Sequence, residues 1–150
     1  MSKKRGFLPV PKDCPEHLAN RRELLHHLRR WANIVYAQYG APVYLCGSAL
    51  RTDNENPRDW DIRVRLPSKV FTVRYGSPDE WWQEGQTGFW TQIRWRWVDD
   101  CRKQSERGAH YTGLNIDFEV LPPAFWRRYK NEPKLRIDTR RNRWNPTMSQ

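Results

Sequence analysis

The sequence predicts a single small α/β (α+β) domain with a mixed sheet flanked by helices. Three observations carry this expectation. A long amphipathic helical pattern near the start is followed by short strand patterns around 43–46, 59–66 and 116–120, in the last two of which apolar and charged residues alternate. A second stretch of helical period lies between the strands. The 150 residues leave room for one domain.

Taken in order, the first helix is predicted to start at Asp13, where Asp13-x-x-Glu16 has capping-box spacing and Pro15 sits in the first turn. Leu18, Leu25, Leu28, Ala32, Val35 and Tyr39 then recur at helical spacing, opposite Arg21, Arg22, Arg29 and Arg30, and Gly40 and Pro42 end the helix. Val43 to Cys46 reads as a buried strand running into Gly47-Ser48, followed by a polar loop from Arg51 to Arg58. From Asp59 to Leu66 the alternation sets Trp60, Ile62, Val64 and Leu66 against Asp59, Asp61, Arg63 and Arg65. Phe71, Val73 and Tyr75 alternate and predict a further short strand. Ser77-Pro78-Asp79-Glu80 predicts a helix start, with Trp82, Trp90, Ile93, Trp97 and Cys101 carrying the period to about Gly108, although Ile93 to Trp97 also fits a strand. Ile116 to Val120 is a strand with Asp117 and Glu119 on its polar side, closed by Pro122 and Pro123. A short helix is expected at Phe125 to Tyr129.

Composition narrows the class. The chain is 37% hydrophobic with a mean hydropathy of −0.99, yet nine Trp, six Tyr and five Phe supply bulky core material. No apolar run approaches the roughly 20 residues of a membrane span, and the start has basic residues without the apolar stretch of a secretory signal. Cys14, Cys46 and Cys101 form no C-x-x-C pair. These features argue against a membrane protein, a disulfide scaffold and a zinc finger, and predict a cytoplasmic protein. The net charge is +10, and its location matters more than its size. Residues 1–12 carry +4 and residues 126–143 carry +6, so the body between them is neutral. The expected organisation is a basic tail over 1–12, a domain over 13–125 and a basic segment over 126–150. Cationic ends on a neutral body suggest a polyanionic partner, nucleic acid or nucleoside triphosphate, with a merely solubilising role as the competing reading.

Three features line up as candidate chemistry: Leu45-Cys46-Gly47-Ser48 at a strand end, Asp59-Trp60-Asp61 opening the next strand, and Asn115-Ile116-Asp117-Phe118 on a third. Strand period places Asp59 and Asp61 on one face. The competing reading is a cross-strand salt network of these acids with Arg63, Arg65 and Glu119. In order and spacing the three pieces resemble the DNA polymerase β-like nucleotidyltransferase superfamily, in its minimal stand-alone form, over roughly residues 43–120. The resemblance implies a nucleotidyltransferase fold and transfer of a nucleoside monophosphate from a triphosphate such as ATP to an acceptor hydroxyl, releasing pyrophosphate. It also implies Mg²⁺ or Mn²⁺ held by Asp59, Asp61 and Asp117, with Asp117 helping to deprotonate the acceptor. Gly47 and Ser48 would take the triphosphate.

The physics suits these residue types. Phosphoryl transfer rests on positioning and charge neutralisation, two divalent ions about 4 Å apart clamp the attacking and leaving oxygens, and Mg²⁺ prefers carboxylate oxygens. Arg51, Arg58 and Arg63 are candidate phosphate contacts. Arg127, Arg128, Lys130, Arg136, Arg140, Arg141 and Arg143 are candidates for gripping a nucleic-acid acceptor. Arg58 stands where many members of the superfamily carry Ser, Arg51-Thr52-Asp53 where many carry Gly, and Trp60 is large for its place between the acids; these departures leave the substrate class open. Two rivals remain: a non-catalytic module of this fold that binds nucleic acid or a partner protein, and an antitoxin-like enzyme that nucleotidylates a protein. Trp31, Trp60, Trp90 and Trp97 read as core, whereas Trp81, Trp126 and Trp144, beside charged residues, are the better candidates for base stacking. Cys46 reads as a buried neighbour of the site rather than a nucleophile.

Overall fold

A computed structural model describes residues 6–53, 56–77, 92–127 and 131–140. In chain order its elements are α1 (Glu16–Ala19), α2 (Arg22–Tyr39), β1 (Val43–Cys46), a 3₁₀ turn (Gly47–Leu50), β2 (Trp60–Arg65), α3 (Ser68–Tyr75), α4 (Gln92–Thr112), β3 (Ile116–Leu121), α5 (Pro123–Trp126) and β4 (Lys134–Arg136). The mixed α/β class expected from the sequence is the one observed. The sheet has the order β3-β2-β1-β4, with β2 and β3 parallel and the two other pairs antiparallel.

One face of the sheet is apolar, and α2 and α4 cover it. Ile62 and Val64 of β2, Phe118 and Val120 of β3 and Val43 and Leu45 of β1 are all essentially inaccessible to water. They meet Leu28, Trp31, Ala32, Val35 and Tyr39 of α2 in one core. Trp31 and Tyr39 approach the Phe118 ring at 6.1 and 5.8 Å between centroids. Gly108 lets α4 lie directly against α2, because a Cβ there would sit 2.6 Å from the Trp31 ring. The outer edge of β3 is closed by α4: the Trp97 indole N–H donates to the Val120 carbonyl at 2.8 Å, and the Ser105 hydroxyl accepts from the Phe118 N–H at 2.9 Å. Asp100 of α4 accepts from the hydroxyls of Tyr39 and Tyr75, joining α2, α3 and α4.

Several elements depart from the expectation. The first helix does not start at Asp13, whose φ of 65° takes it out of the helical region; α1 begins after Pro15, with no side-chain cap. The chain breaks again at Asn20 and Arg21, where the Arg21 guanidinium lies over the Trp60 ring. Gly40, at φ 67°, closes α2 as expected. Phe71 to Tyr75 is a helix, not a strand: Phe71 and Tyr75, one turn apart, are both buried while Val73 between them is 86% exposed. Gln92–Thr112 is helical throughout, which removes the strand alternative for 93–97 and carries the helix past Gly108 to Gly113. The helix start at Ser77-Pro78 and the placements of Trp81, Trp82 and Trp90 fall at or within residues 78–91, outside the described residues.

Parts of both expected end segments pack on the fold. β4 lies in the stretch assigned to a basic C-terminal segment, yet Leu135, Ile137 and Asp138 are buried and β4 pairs with β1. At the other end, the Leu8 N–H donates to His26 Nδ1 at 3.0 Å, which fastens part of the expected N-terminal tail to α2. Cys14, Cys46 and Cys101 are free. Among the described residues no helix is long and apolar enough to cross a membrane.

The His26 contact has a pH consequence. Its Nδ1 accepts only when unprotonated, and burial first, then His27 and Arg30, hold its pKa below the ordinary value. Stability from the neutral ring is complete above the unfolded-state pKa of about 6.5. It is lost as pH falls through that value towards the lower folded one. Urea melts at descending pH should show the wild type weakening over this window more than His26→Gln; parallel loss in both would contradict the assignment.

Candidate functional site

The polar face of the sheet carries two rows of side chains set by strand register. One runs Asp117, Asp61, Cys46, Lys134 across β3, β2, β1 and β4; the next runs Glu119, Arg63, Tyr44, Arg136. Asp61 and Asp117 are therefore directly opposite each other on adjacent parallel strands. Asp61 is 28% exposed and Asp117 52% exposed, so both reach solvent.

The turn after β1 is built around Asp61. Gly47 has φ 75°, and a Cβ at that position would lie 2.4 Å from Asp61 Oδ2. Only glycine allows both the backbone angle and the close approach. His17 Nε2, 3.0 Å from the Ala49 carbonyl, steadies the turn from α1. Ser48 is half-buried within it, and Arg51 follows, exposed. Burial raises the Asp61 carboxyl above its usual range, Arg63 opposes this, and Asp117 and Asp59 add to it.

Asp59 lies just before β2 and is exposed; its Oδ1 accepts from Asn115 Nδ2 at 2.7 Å, and the same amide donates to the Arg58 carbonyl at 3.1 Å. Asn115 thus holds the approach to β2 against that of β3. It stood in the motif, but its role depends on a pairing that one strand's sequence does not contain. Arg63 is expected from the sequence as a phosphate contact. It is 6% exposed and lies among the carboxylates instead of reaching outward: Nη2 is 3.5 Å from Asp117 Oδ2 and 3.9 Å from Asp61 Oδ1, and Nε is 3.4 Å from Glu119 Oε1. Nη1 donates to the Asp117 carbonyl at 2.6 Å. The guanidinium neutralises part of the charge of these acids, so the salt network weighed as an alternative is present in part, joining Arg63 to Asp61, Asp117 and Glu119.

The donor set suits a hard divalent cation in part. Asp61 and Asp117 offer adjacent carboxylates beside the glycine cradle, while Asp59 faces Asn115. Among the described residues no three His, Cys, Asp or Glu side chains are gathered closely enough to hold a metal ion. Asp59 completes such a set only by turning from Asn115 towards Asp61, which lies on the same side of the strand. Cys46 is buried between Asp61 and Lys134, and burial pushes its thiol up to about 12. It is protonated at neutral pH, in keeping with a neighbour rather than a nucleophile.

The cationic candidates separate. Arg127 and Arg140 are exposed. Arg136 is paired with Asp138 at 3.0 Å and donates to the Arg140 carbonyl. Arg128, Lys130, Arg141, Arg143 and Trp144 lie outside the described residues. Trp126 is half-buried against Tyr44, 5.2 Å between centroids. Lys134, passed over in the sequence as one charge of a basic run, stands in the same row as Asp61. Comparison of the chain with family models, with curated proteins and with solved structures returns no match in any of the three.

Gly47→Ala separates site geometry from fold. The substitution must shift Asp61 or the turn, and is expected to lower stability by about 1–3 kcal/mol while displacing the carboxylate. A melting curve and a crystal structure of the variant check this; an unmoved Asp61 with an unchanged melting temperature would contradict the close approach.

Proposed function

We propose that the chain is a metal-dependent nucleotidyltransferase, moving a nucleoside monophosphate from a nucleoside triphosphate to an acceptor hydroxyl. The observation that supports this most is the direct pairing of Asp61 with Asp117 beside the Gly47 turn. The turn that Gly47 opens can present backbone N–H groups to a phosphate, and Asp61, against which Gly47 packs, lies with Asp117 immediately next to it. The acceptor oxygen would attack the α-phosphorus, the bond to the bridging oxygen of the β-phosphate would break, and pyrophosphate would leave. Divalent ions, when bound, would supply charge neutralisation of the triphosphate and acidify the acceptor hydroxyl.

In this reading Asp61 orients both the turn and the reacting phosphate. Asp117, the more exposed of the pair, lies where an acceptor can reach it and takes up the proton. Asp59 joins them on leaving Asn115. Ser48 and Arg51 follow Gly47 and are placed to meet the outer phosphates. Arg63 stays behind the carboxylates and holds them together.

The second reading, a non-catalytic module of the same architecture, draws support from the same guanidinium: Arg63 already compensates Asp61, Asp117 and Glu119. Transfer from each α-labelled triphosphate with Mg²⁺ or Mn²⁺, offered RNA, DNA and protein acceptors, decides between them. Catalysis predicts label on one acceptor, reduced by about 10²-fold or more in Asp61→Asn and in Asp117→Asn. No label, or label unchanged in both variants, would leave the binding module.

A further inference from the structure

Part of the charge that the sequence divides between the two chain ends converges in space: Lys12 lies beside Lys134 and Arg136. Arg29 of α2 is buried and donates to the Pro9 carbonyl on one side and to the Ile137 and Asp138 carbonyls on the other, the last two at 2.8 and 3.3 Å. One guanidinium therefore fastens the segment before α1 and the segment after β4 to the same helix. Lys12 from the first segment and Lys134 and Arg136 from β4 line one cleft of about 410 Å³, with Tyr44 and Arg29 in its wall. Two carboxylates share the cleft. Asp13 is exposed, and Asp138 is buried and held by Arg136 and the Val43 N–H. Four cationic side chains thus face two acids, on a chain whose body is otherwise neutral.

Aromatic surface lies in the same place. Tyr44 stands against Trp126, and the Lys134 ammonium is 5.8 Å from the centre of the Trp126 ring. Cations interleaved with aromatic rings are the chemistry that binds single-stranded nucleic acid: phosphates meet the charges and bases meet the rings. The position is apt as well. Lys134 is in register with Cys46, and Cys46 with Asp61, so the Lys134 and Asp61 backbones are separated by two strand spacings, roughly 10 Å. Among the described residues β4 is an edge strand of the sheet.

We infer that this edge binds single-stranded nucleic acid and leads its terminal hydroxyl to the Asp61–Asp117 pair. What happens to the hydroxyl rests on the nucleotidyl-transfer reading; the binding rests on the cleft. Lys12 and Lys134 contact phosphates, and Trp126 contacts a base. Arg136 lends charge while remaining paired with Asp138.

The test is fluorescence anisotropy of labelled oligo(U) and oligo(dT) across a salt series, without triphosphate or metal, beside the transfer assay. Wild type should bind one or both, with affinity falling steeply as salt rises. The double variant Lys12→Gln/Lys134→Gln should bind about tenfold more weakly at low salt, with the slope flattened by roughly 1.4, or about 0.7 per lost contact. Lys134→Arg should restore most of its share. Arg107→Gln, on α4 at the opposite face, should bind as wild type, and all variants should keep the wild-type melting temperature. No oligonucleotide binding by wild type, or wild-type affinity and slope in the double variant, would overturn the inference. Label transferred to a protein without oligonucleotide binding would overturn it and leave nucleotidyl transfer standing. Oligonucleotide binding that depends on Lys12 and Lys134, with no transfer to any acceptor, would remove the transfer reading and support the binding edge.

Discussion

A slip of one residue between β2 and β3 would, with β2 held by β1, turn Phe118 and Val120 towards water and drive Asp117 and Glu119 into the helical layer. Each apolar side chain contributes roughly 1.5–3 kcal/mol by being buried, so losing both would remove a large share of a small domain's stability of about 5–15 kcal/mol. The core therefore locks the register, and the register sets Asp61 opposite Asp117. The same alternation that builds the hydrophobic layer places the acids on the other face. The candidate site is in this sense a by-product of a pattern that folding itself enforces.

Placing three carboxylates on neighbouring strands creates repulsion, and Arg63 is the local answer. Removing Arg63 costs less than the roughly 3–5 kcal/mol of a fully buried pair, because the carboxylates are partly exposed and solvent screens them. One guanidinium among Asp61, Asp117 and Glu119 still leaves an excess of negative charge, which suits a further cation. Across the same face the sign reverses towards Lys134 and Arg136. A polyanion approaching from β4 thus meets cations first and carboxylates last, an arrangement that a uniform patch of either sign would not provide.

Much of this was legible from the residues. α2, β1, β2 and β3 follow from strong periodicity, and the facing of Asp61, Arg63, Asp117 and Glu119 follows from period two. What escaped depended on partners distant in sequence. Phe71, Val73 and Tyr75 fit both an alternating strand and a helical turn, and only the exposure of Val73 separates them. β4 is three residues long with one apolar side chain between two cations. Its strand character comes from pairing with Tyr44, Leu45 and Cys46. The charge of Arg63 was plain, but its burial among acids depends on the β2–β3 register. Asp13 had capping-box spacing, yet its left-handed backbone places it in the turn before α1. The carboxylates and a salt network with Arg63 were both legible, whereas the hold of Asn115 on Asp59 and the burial of Arg63 became clear only in three dimensions.

We propose that the Asp61–Asp117 pair holds a divalent cation and is not solely one half of a salt network. This is tested most directly by electron paramagnetic resonance titration of Mn²⁺ into the protein with a non-hydrolysable nucleoside triphosphate. Wild type should retain Mn²⁺, and Asp61→Asn and Asp117→Asn should each release it while keeping the fold. Absence of retained Mn²⁺ in wild type, or equal retention by the two variants, would contradict this and leave those carboxylates as partners of Arg63 in a salt network.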